Sequence, residues 1–149
     1  MVKLKYCWLG VVCFMFSCAD SDPQVFQLNE PINVFASELV TLELPQQDEY
    51  IDLMVLEIEE SRCPSNVNCI RFGEASVSVG LNGVEEIIQT LDLCIGDCPE
   101  RGIGFIEVDT LQVELDDKAY AVILEGVTPY PTTDNGVVPK QAILKIIEW

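Results

Sequence analysis

Seven cysteines and no histidine define the side-chain chemistry open to this 149-residue chain. Without imidazole, Ser-His and Cys-His nucleophilic pairs cannot be assembled, and the commonest zinc and copper ligand is missing. What remains centres on Cys63, Cys69, Cys94 and Cys98. Four thiols allow three pairings. Spacing favours the local ones: Cys63-Pro64-Ser65-Asn66-Val67-Asn68-Cys69 closes a small loop, and Cys94-Ile95-Gly96-Asp97-Cys98 a tighter one whose bend Gly96 eases. Each bridge would stabilise the fold by about 2 kcal/mol through loop entropy. A four-thiolate zinc site is the rival, but five and three intervening residues suit it poorly. A thioredoxin-like redox pair has two intervening residues and a βαβ context, and neither is present. No metal and no cofactor is expected.

Whether those thiols oxidise depends on compartment, which the N-terminus addresses. Lys3 and Lys5 form a positive start, residues 6–16 are an apolar run of 11, and Ser17 places a small side chain before Cys18. The run is too short to span a bilayer as a helix, which takes about 20 residues, and the three-part layout is that of a signal peptide. Met15-Phe16-Ser17-Cys18 resembles the lipobox of bacterial lipoproteins, in which the cysteine thiol becomes a diacylglyceryl thioether and a peptidase cuts just before it. The resemblance makes residues 1–17 a lipoprotein signal peptide and Cys18 the lipidated N-terminus of the mature chain. With two or three acyl chains, each buried methylene contributing about 0.8 kcal/mol, release from the membrane would be negligible. Ala19-Asp20-Ser21-Asp22 resembles the acidic surface-export signal of Bacteroidetes lipoproteins. The expected location is the outer membrane, with the protein facing the periplasm or the cell surface. That compartment is oxidising, so both disulfides are expected to form.

Twenty-five acidic residues against 8 basic ones give a net charge of -17. Removal of residues 1–17 takes away Lys3 and Lys5, leaving 6 basic against 25 acidic residues and a charge of -19. Such a surface repels phosphate backbones, which excludes nucleic acid as a partner. Apart from the acyl-chain contact with the membrane, the expected partner is an unidentified protein or glycan. Glu57, Glu59 and Glu60 lie close together, as do Asp116 and Asp117, but neither group matches the spaced calcium loop of an EF-hand. Solvated charge is the plainer reading. No phosphate-cradling glycine loop is present.

These residues must be positioned by short strands. Period-two alternation recurs at Val40/Leu42/Leu44, Ile51/Leu53/Val55, Val77/Val79/Leu81, Ile87/Gln89/Leu91/Leu93, Leu111/Val113/Leu115, Tyr120/Val122/Leu124 and Ile143/Lys145/Ile147/Trp149. Turn signals separate the pieces: Pro45-Gln46-Gln47-Asp48, Asn82-Gly83, Gly102, Asp116-Asp117-Lys118 and Asp134-Asn135-Gly136. Asn82-Gly83 predicts a type I′ hairpin joining 75–81 to 85–93, and Asp116-Asp117 a second, joining 111–115 to 119–127. Residues 51–60 carry some helical spacing, but the flanking turns favour a strand. The expected fold is all-β: an immunoglobulin-like sandwich of about eight short antiparallel strands over residues 31–149, with a β-barrel as the alternative. Residues 18–30 are read as a polar tether, with a short first strand near 25–28.

Residues 60–75, Glu-Ser-Arg-Cys-Pro-Ser-Asn-Val-Asn-Cys-Ile-Arg-Phe-Gly-Glu-Ala, and Val127-Thr128-Pro129-Tyr130-Pro131 together resemble a group of small, uncharacterised Bacteroidetes-type envelope lipoproteins. That group pairs an SRCP segment, carrying V-x-C and then G and A, with a later V-x-PYP segment. An aromatic often follows shortly after the second cysteine in the group; here Arg71 holds that position and Phe72 comes next. The resemblance runs from about residue 30 to the end and implies a β-domain with a Cys63–Cys69 bridge. It implies no substrate.

Two regions are singled out for recognition. The loop after residue 127 holds Pro129, Tyr130 and Pro131, so it is stiff and presents an aromatic ring at low entropic cost. Arg62 and Arg71 flank the first bridge as a cationic spot, with neighbouring acids as their expected partners. The leading expectation is a non-enzymatic, lipid-anchored binding or assembly module. The alternatives are a carboxylate-based glycan hydrolase, which needs a cleft with two acids about 5–10 Å apart, and a protease inhibitor presenting the Cys63–Cys69 loop.

Overall fold

The computed structural model describes residues 25–44, 50–82, 89–99, 102, 104–134 and 138–149. The signal peptide, Cys18, most of the tether, the 45–48 turn and most of the 134–136 turn lie outside the described residues. Strand accounts for 64% of those described and none is α-helical, so the all-β expectation holds. Among the described residues, ten strands form two sheets: β1 (Val25–Gln27), β2 (Ile32–Phe35), β3 (Leu39–Glu43), β4 (Tyr50–Glu60), β5 (Glu74–Asn82), β6 (Gln89–Asp97), β7 (Phe105–Ile106), β8 (Asp109–Leu115), β9 (Lys118–Thr128) and β10 (Gln141–Glu148). One sheet runs β1-β3-β4-β5-β6-β7 and the other β2-β10-β9-β8. Apart from β1, which lies parallel to β3, every pairing is antiparallel.

The sandwich consists of two meanders, β3 to β7 and β8 to β10, with β2 crossing to flank β10. An immunoglobulin sandwich changes sheet three times in seven strands; this chain changes sheet three times in its ten described strands, at β1–β2, β2–β3 and β7–β8. Here local hairpins dominate, because most connections are short and join sequence neighbours. Strand β1 falls where the short first strand is expected, near residues 25–28; it joins the larger sheet, and Leu28 after it is buried.

The core follows the alternation. On β5, Ala75, Val77, Val79 and Leu81 are buried, while Ser76 and Ser78 point outward. They meet Leu53, Val55, Leu93 and Ile95 of the same sheet and Val122, Leu124, Leu144 and Ile146 of the other. Burying side chains of this size contributes roughly 1.5–3 kcal/mol each. The β8–β9 hairpin is the expected two-residue turn: Leu115 pairs with Lys118, and Asp116 and Asp117 both adopt positive φ, 50° and 61°. The β5–β6 hairpin exists, but in another register. A turn centred on Asn82-Gly83 would pair Leu81 with Val84; instead Leu81 pairs with Gln89, and the connection over residues 83–88 lies outside the described residues.

A bulge in β4 decides which acids face where. The pairing steps from Val55↔Val79 to Glu57↔Ser78, leaving Leu56 as an extra residue. Before it, odd-numbered residues face the core; after it, the phase inverts, as a one-residue insertion in a period-two element must. Glu57 and Glu59 therefore face outward, opposite Ser78 and Ser76, and Glu60 turns inward opposite buried Ala75.

Candidate functional site

Both disulfides, the β7 strand and the β9–β10 connection gather at the end of the sandwich where β4 stops and β5 starts. Cys63–Cys69 and Cys94–Cys98 are both formed, with Cα–Cα distances of 5.9 and 6.2 Å. The first bridge closes the β4–β5 connection, whose ladder continues past the strands: Ser61 N donates to Glu74 O (2.8 Å) and Cys63 N to Phe72 O (2.6 Å). The second closes the end of β6. Gly73 and Gly96 allow the two turns to meet. Both have positive φ, and a Cβ on Gly73 would lie 2.1 Å from Ser61 O, while one on Gly96 would lie 2.5 Å from Gly73 O. Only glycine fits either place.

Arg62 is the centre of this end. Its Nε donates to Glu60 Oε1 at 2.8 Å, its Nη2 forms an ion pair with Glu60 Oε2, and the same nitrogen donates to Val127 O at 2.7 Å. The two side chains are only 11% and 8% exposed. The Arg62 guanidinium lies over the Tyr130 ring, 4.5 Å from its centre. One arginine thus binds the end of β4 to the end of β9 and fixes the orientation of Tyr130. The expectation that arginines here pair with acids holds for Arg62. Arg71 is exposed and carries no ion pair among the described residues.

The proline-rich segment is ordered by the disulfide loop. Ser65 N donates to Pro131 O (3.0 Å), Asn66 Nδ2 to Thr133 Oγ1 (2.7 Å), and Thr133 N to Asn66 Oδ1 (3.0 Å). Lys140 Nζ donates to Pro129 O (2.6 Å), and the Thr128–Pro129 peptide is cis. Tyr130 remains 44% exposed beside two aromatics, Phe72 at 68% and Phe105 at 58%. Phe72 and Phe105 meet edge to face, with centroids 5.6 Å apart and planes at 70°. A hollow of about 200 Å³ opens between these rings, rimmed by Glu107 and Glu125. A second hollow, about 310 Å³, runs from Tyr130 and Phe72 along the disulfide loop past Val67, Ile70 and Arg71. Phe105 was not singled out in the sequence. It stands in a two-residue strand with no alternation to flag it. Phe72 drew notice only through the resemblance.

The clustered glutamates do not act together: Glu60 is in the Arg62 clamp, and Glu57 and Glu59 face out. Asp116 and Asp117 form the hairpin turn at the other end. A shallow groove of about 640 Å³ across β4, β5 and β6 collects a different set, Glu59, Glu74 and Asp92. Ser78 Oγ donates to Asp92 Oδ1 (2.6 Å) and Ser76 Oγ to Glu59 Oε2 (3.4 Å). Glu74, Cys94 and Cys98 bring ligand-type atoms within 4.8 Å of one another, but both sulfurs are spent in the disulfide and offer no thiolate. Buried Asp109 accepts from Cys94 N and Thr110 N, each at 2.9 Å, tying the start of β8 to β6.

No protein-family model, curated protein or solved structure matches this chain.

Proposed function

We propose that this chain is a lipid-anchored protein of the cell envelope, without enzymatic activity, whose disulfide end binds a protein or glycan partner. The observation that carries the reading is the fixed, exposed Tyr130: a nearly buried Arg62–Glu60 pair orients its ring beside exposed Phe72 and Phe105. Rigid aromatics of this kind give contact area at low entropic cost, and they concentrate binding energy in a few residues. The lipobox-like Met15-Phe16-Ser17-Cys18 supports anchorage at Cys18 in the outer membrane, facing the periplasm or the cell surface. The SRCP and PYP segments support kinship with Bacteroidetes-type envelope lipoproteins. A chain without histidine, whose distal cysteines are bridged, supports a binding role over catalysis.

The test uses the full-length protein in its membrane. A photoreactive phenylalanine analogue replaces Phe105, or, as a control, Glu114 near the opposite end. A specific adduct at position 105, absent at 114 and lost in Tyr130→Ala, is expected. Cys18→Ser is expected to abolish fatty-acid labelling and release the protein from the membrane fraction. Equal adducts at both positions would dismiss the binding end, and persistent labelling would dismiss the anchor.

A further inference from the structure

We infer that the hollow between Phe72, Phe105 and Tyr130 receives a lysine or arginine side chain from a basic polypeptide. The inference rests on the binding role proposed for this end and names the chemistry of its partner.

Charge sets the class of ligand. Among the described residues, Arg62 is the one cationic side chain lining the hollow, and Glu60 and the Val127 carbonyl already engage it. Glu107 and Glu125 are exposed on the rim and have no ion-pair partner among the described residues. With two carboxylates at the mouth that no described residue pairs with, and a chain charge of -17, an anionic ligand is repelled and a cationic one drawn in. Ring geometry narrows the choice further. Phe72 and Phe105 meet at 70°, so they form a corner and not a flat platform. A sugar ring stacks on a flat aromatic face, whereas the negative ring faces of a corner suit a compact cation. The chain already makes this contact once, with Arg62 over Tyr130 at 4.5 Å. A hollow of about 200 Å³ matches the tip of one side chain better than a folded surface. The methylenes of lysine or arginine would run over the apolar rings while the charged head reaches Glu107 and Glu125.

The probe is an acetylated, amidated tetralysine peptide, followed by amide and ring NMR shifts on the whole mature domain, with the fully side-chain-acetylated peptide and a neutral chitin oligosaccharide as comparisons. Shifts confined to Phe72, Phe105, Glu107, Glu125 and Tyr130 are expected for the charged peptide alone. Phe105→Leu keeps apolar bulk but removes the π face, and should weaken binding about two- to fivefold, as should Phe105→Ala. Glu107→Gln with Glu125→Gln should weaken it at least as much. The distant pair Glu43→Gln with Glu114→Gln changes net charge equally and should have a smaller effect. Equal losses in both charge pairs would mean attraction to the overall charge only and would overturn the site. Tight binding by Phe105→Leu, or binding of the acetylated peptide or the oligosaccharide in the hollow, would overturn the cationic class. If those failures coincide with a specific photo-adduct at position 105, the binding end stands and only its assigned partner falls; without the adduct, both fall.

Discussion

The two disulfides close loops of similar length at one end of the molecule but do different physical work. Cys94–Cys98 is part of a sheet. Cys98 is buried, Asp97 N donates to Gly73 O, and Cys94 N donates to the Asp109 carboxylate, so the bridge belongs to the hydrogen-bonded fabric of β5, β6 and β8. Cys63–Cys69 encloses exposed residues, and its strongest ties cross to the β9–β10 connection through Ser65 and Asn66. Loop entropy is similar for both, about 2 kcal/mol. The difference therefore lies in what each bridge holds still: a sheet in one case, and in the other a surface that displays Tyr130 and Phe72.

Arg62 joins the two regions, and its loss should have the largest effect. Arg62→Ala takes the guanidinium away from the Glu60 carboxylate, at 8% exposure, and leaves it the Arg62 backbone N–H, which donates to Oε1 at 3.0 Å. Breaking one half of such a pair costs about 3–5 kcal/mol, read as a fall in the urea midpoint. Replacing both partners by apolar residues, Glu60→Leu with Arg62→Met, should recover most of the loss while freeing Tyr130 to reorient. A loss below about 1 kcal/mol in Arg62→Ala would place the stability of this end in the disulfides instead.

The disulfides come next. Cys63→Ala with Cys69→Ala, and Cys94→Ala with Cys98→Ala, should each lower global stability by about 2 kcal/mol. Amide hydrogen exchange should separate them. Loss of the first bridge should speed exchange at Ser65 and Thr133 and leave β5 and β6 protected. Loss of the second should reduce protection through β6 and at Asp97. Equal loss of protection in both variants would erase the distinction drawn between them.

The sequence made the core readable because alternation is a strong signal where one face of a strand is buried, as in 77–81 and 120–124. The Asp116-Asp117 turn was equally plain, since few residues accept positive φ twice in succession. The two local bridges followed from spacing. Less legible was anything that depends on phase or distance. The bulge at Leu56 leaves no mark in composition, yet it separates Glu60 from Glu57 and Glu59 and so creates the Arg62 clamp. Strand β2 offers only Ile32 and Val34 as alternating residues, too few to stand out, and β7 is shorter still. The site brings together Arg62, Phe72, Phe105, Glu125 and Tyr130, and no local pattern could assemble them.

The smallest expected effect tests whether the seam between the two loops governs the display of Tyr130. Asn66 donates to Thr133 Oγ1 and accepts from Thr133 N, both in exposed surroundings. Exposed hydrogen bonds contribute at the low end of the usual range, so Asn66→Ala should cost about 1 kcal/mol or less globally. Its local effect should be larger than that figure suggests, because the same contacts hold the segment that follows Tyr130. Exchange at Thr133 should speed up, and the Tyr130 ring resonances should move toward values typical of a freely rotating side chain. Asn66→Asp sharpens the test: it keeps an acceptor for Thr133 N but loses the amide donor and sets a second carboxylate near Asp134, whose Oδ2 lies 3.4 Å from Asn66 Nδ2. Like charges that close repel, so the seam should open further in Asn66→Asp than in Asn66→Ala. If the Tyr130 resonances stay fixed in both variants, Arg62 alone orients the ring, and the Cys63–Cys69 loop is a neighbour of the binding end without a part in shaping it.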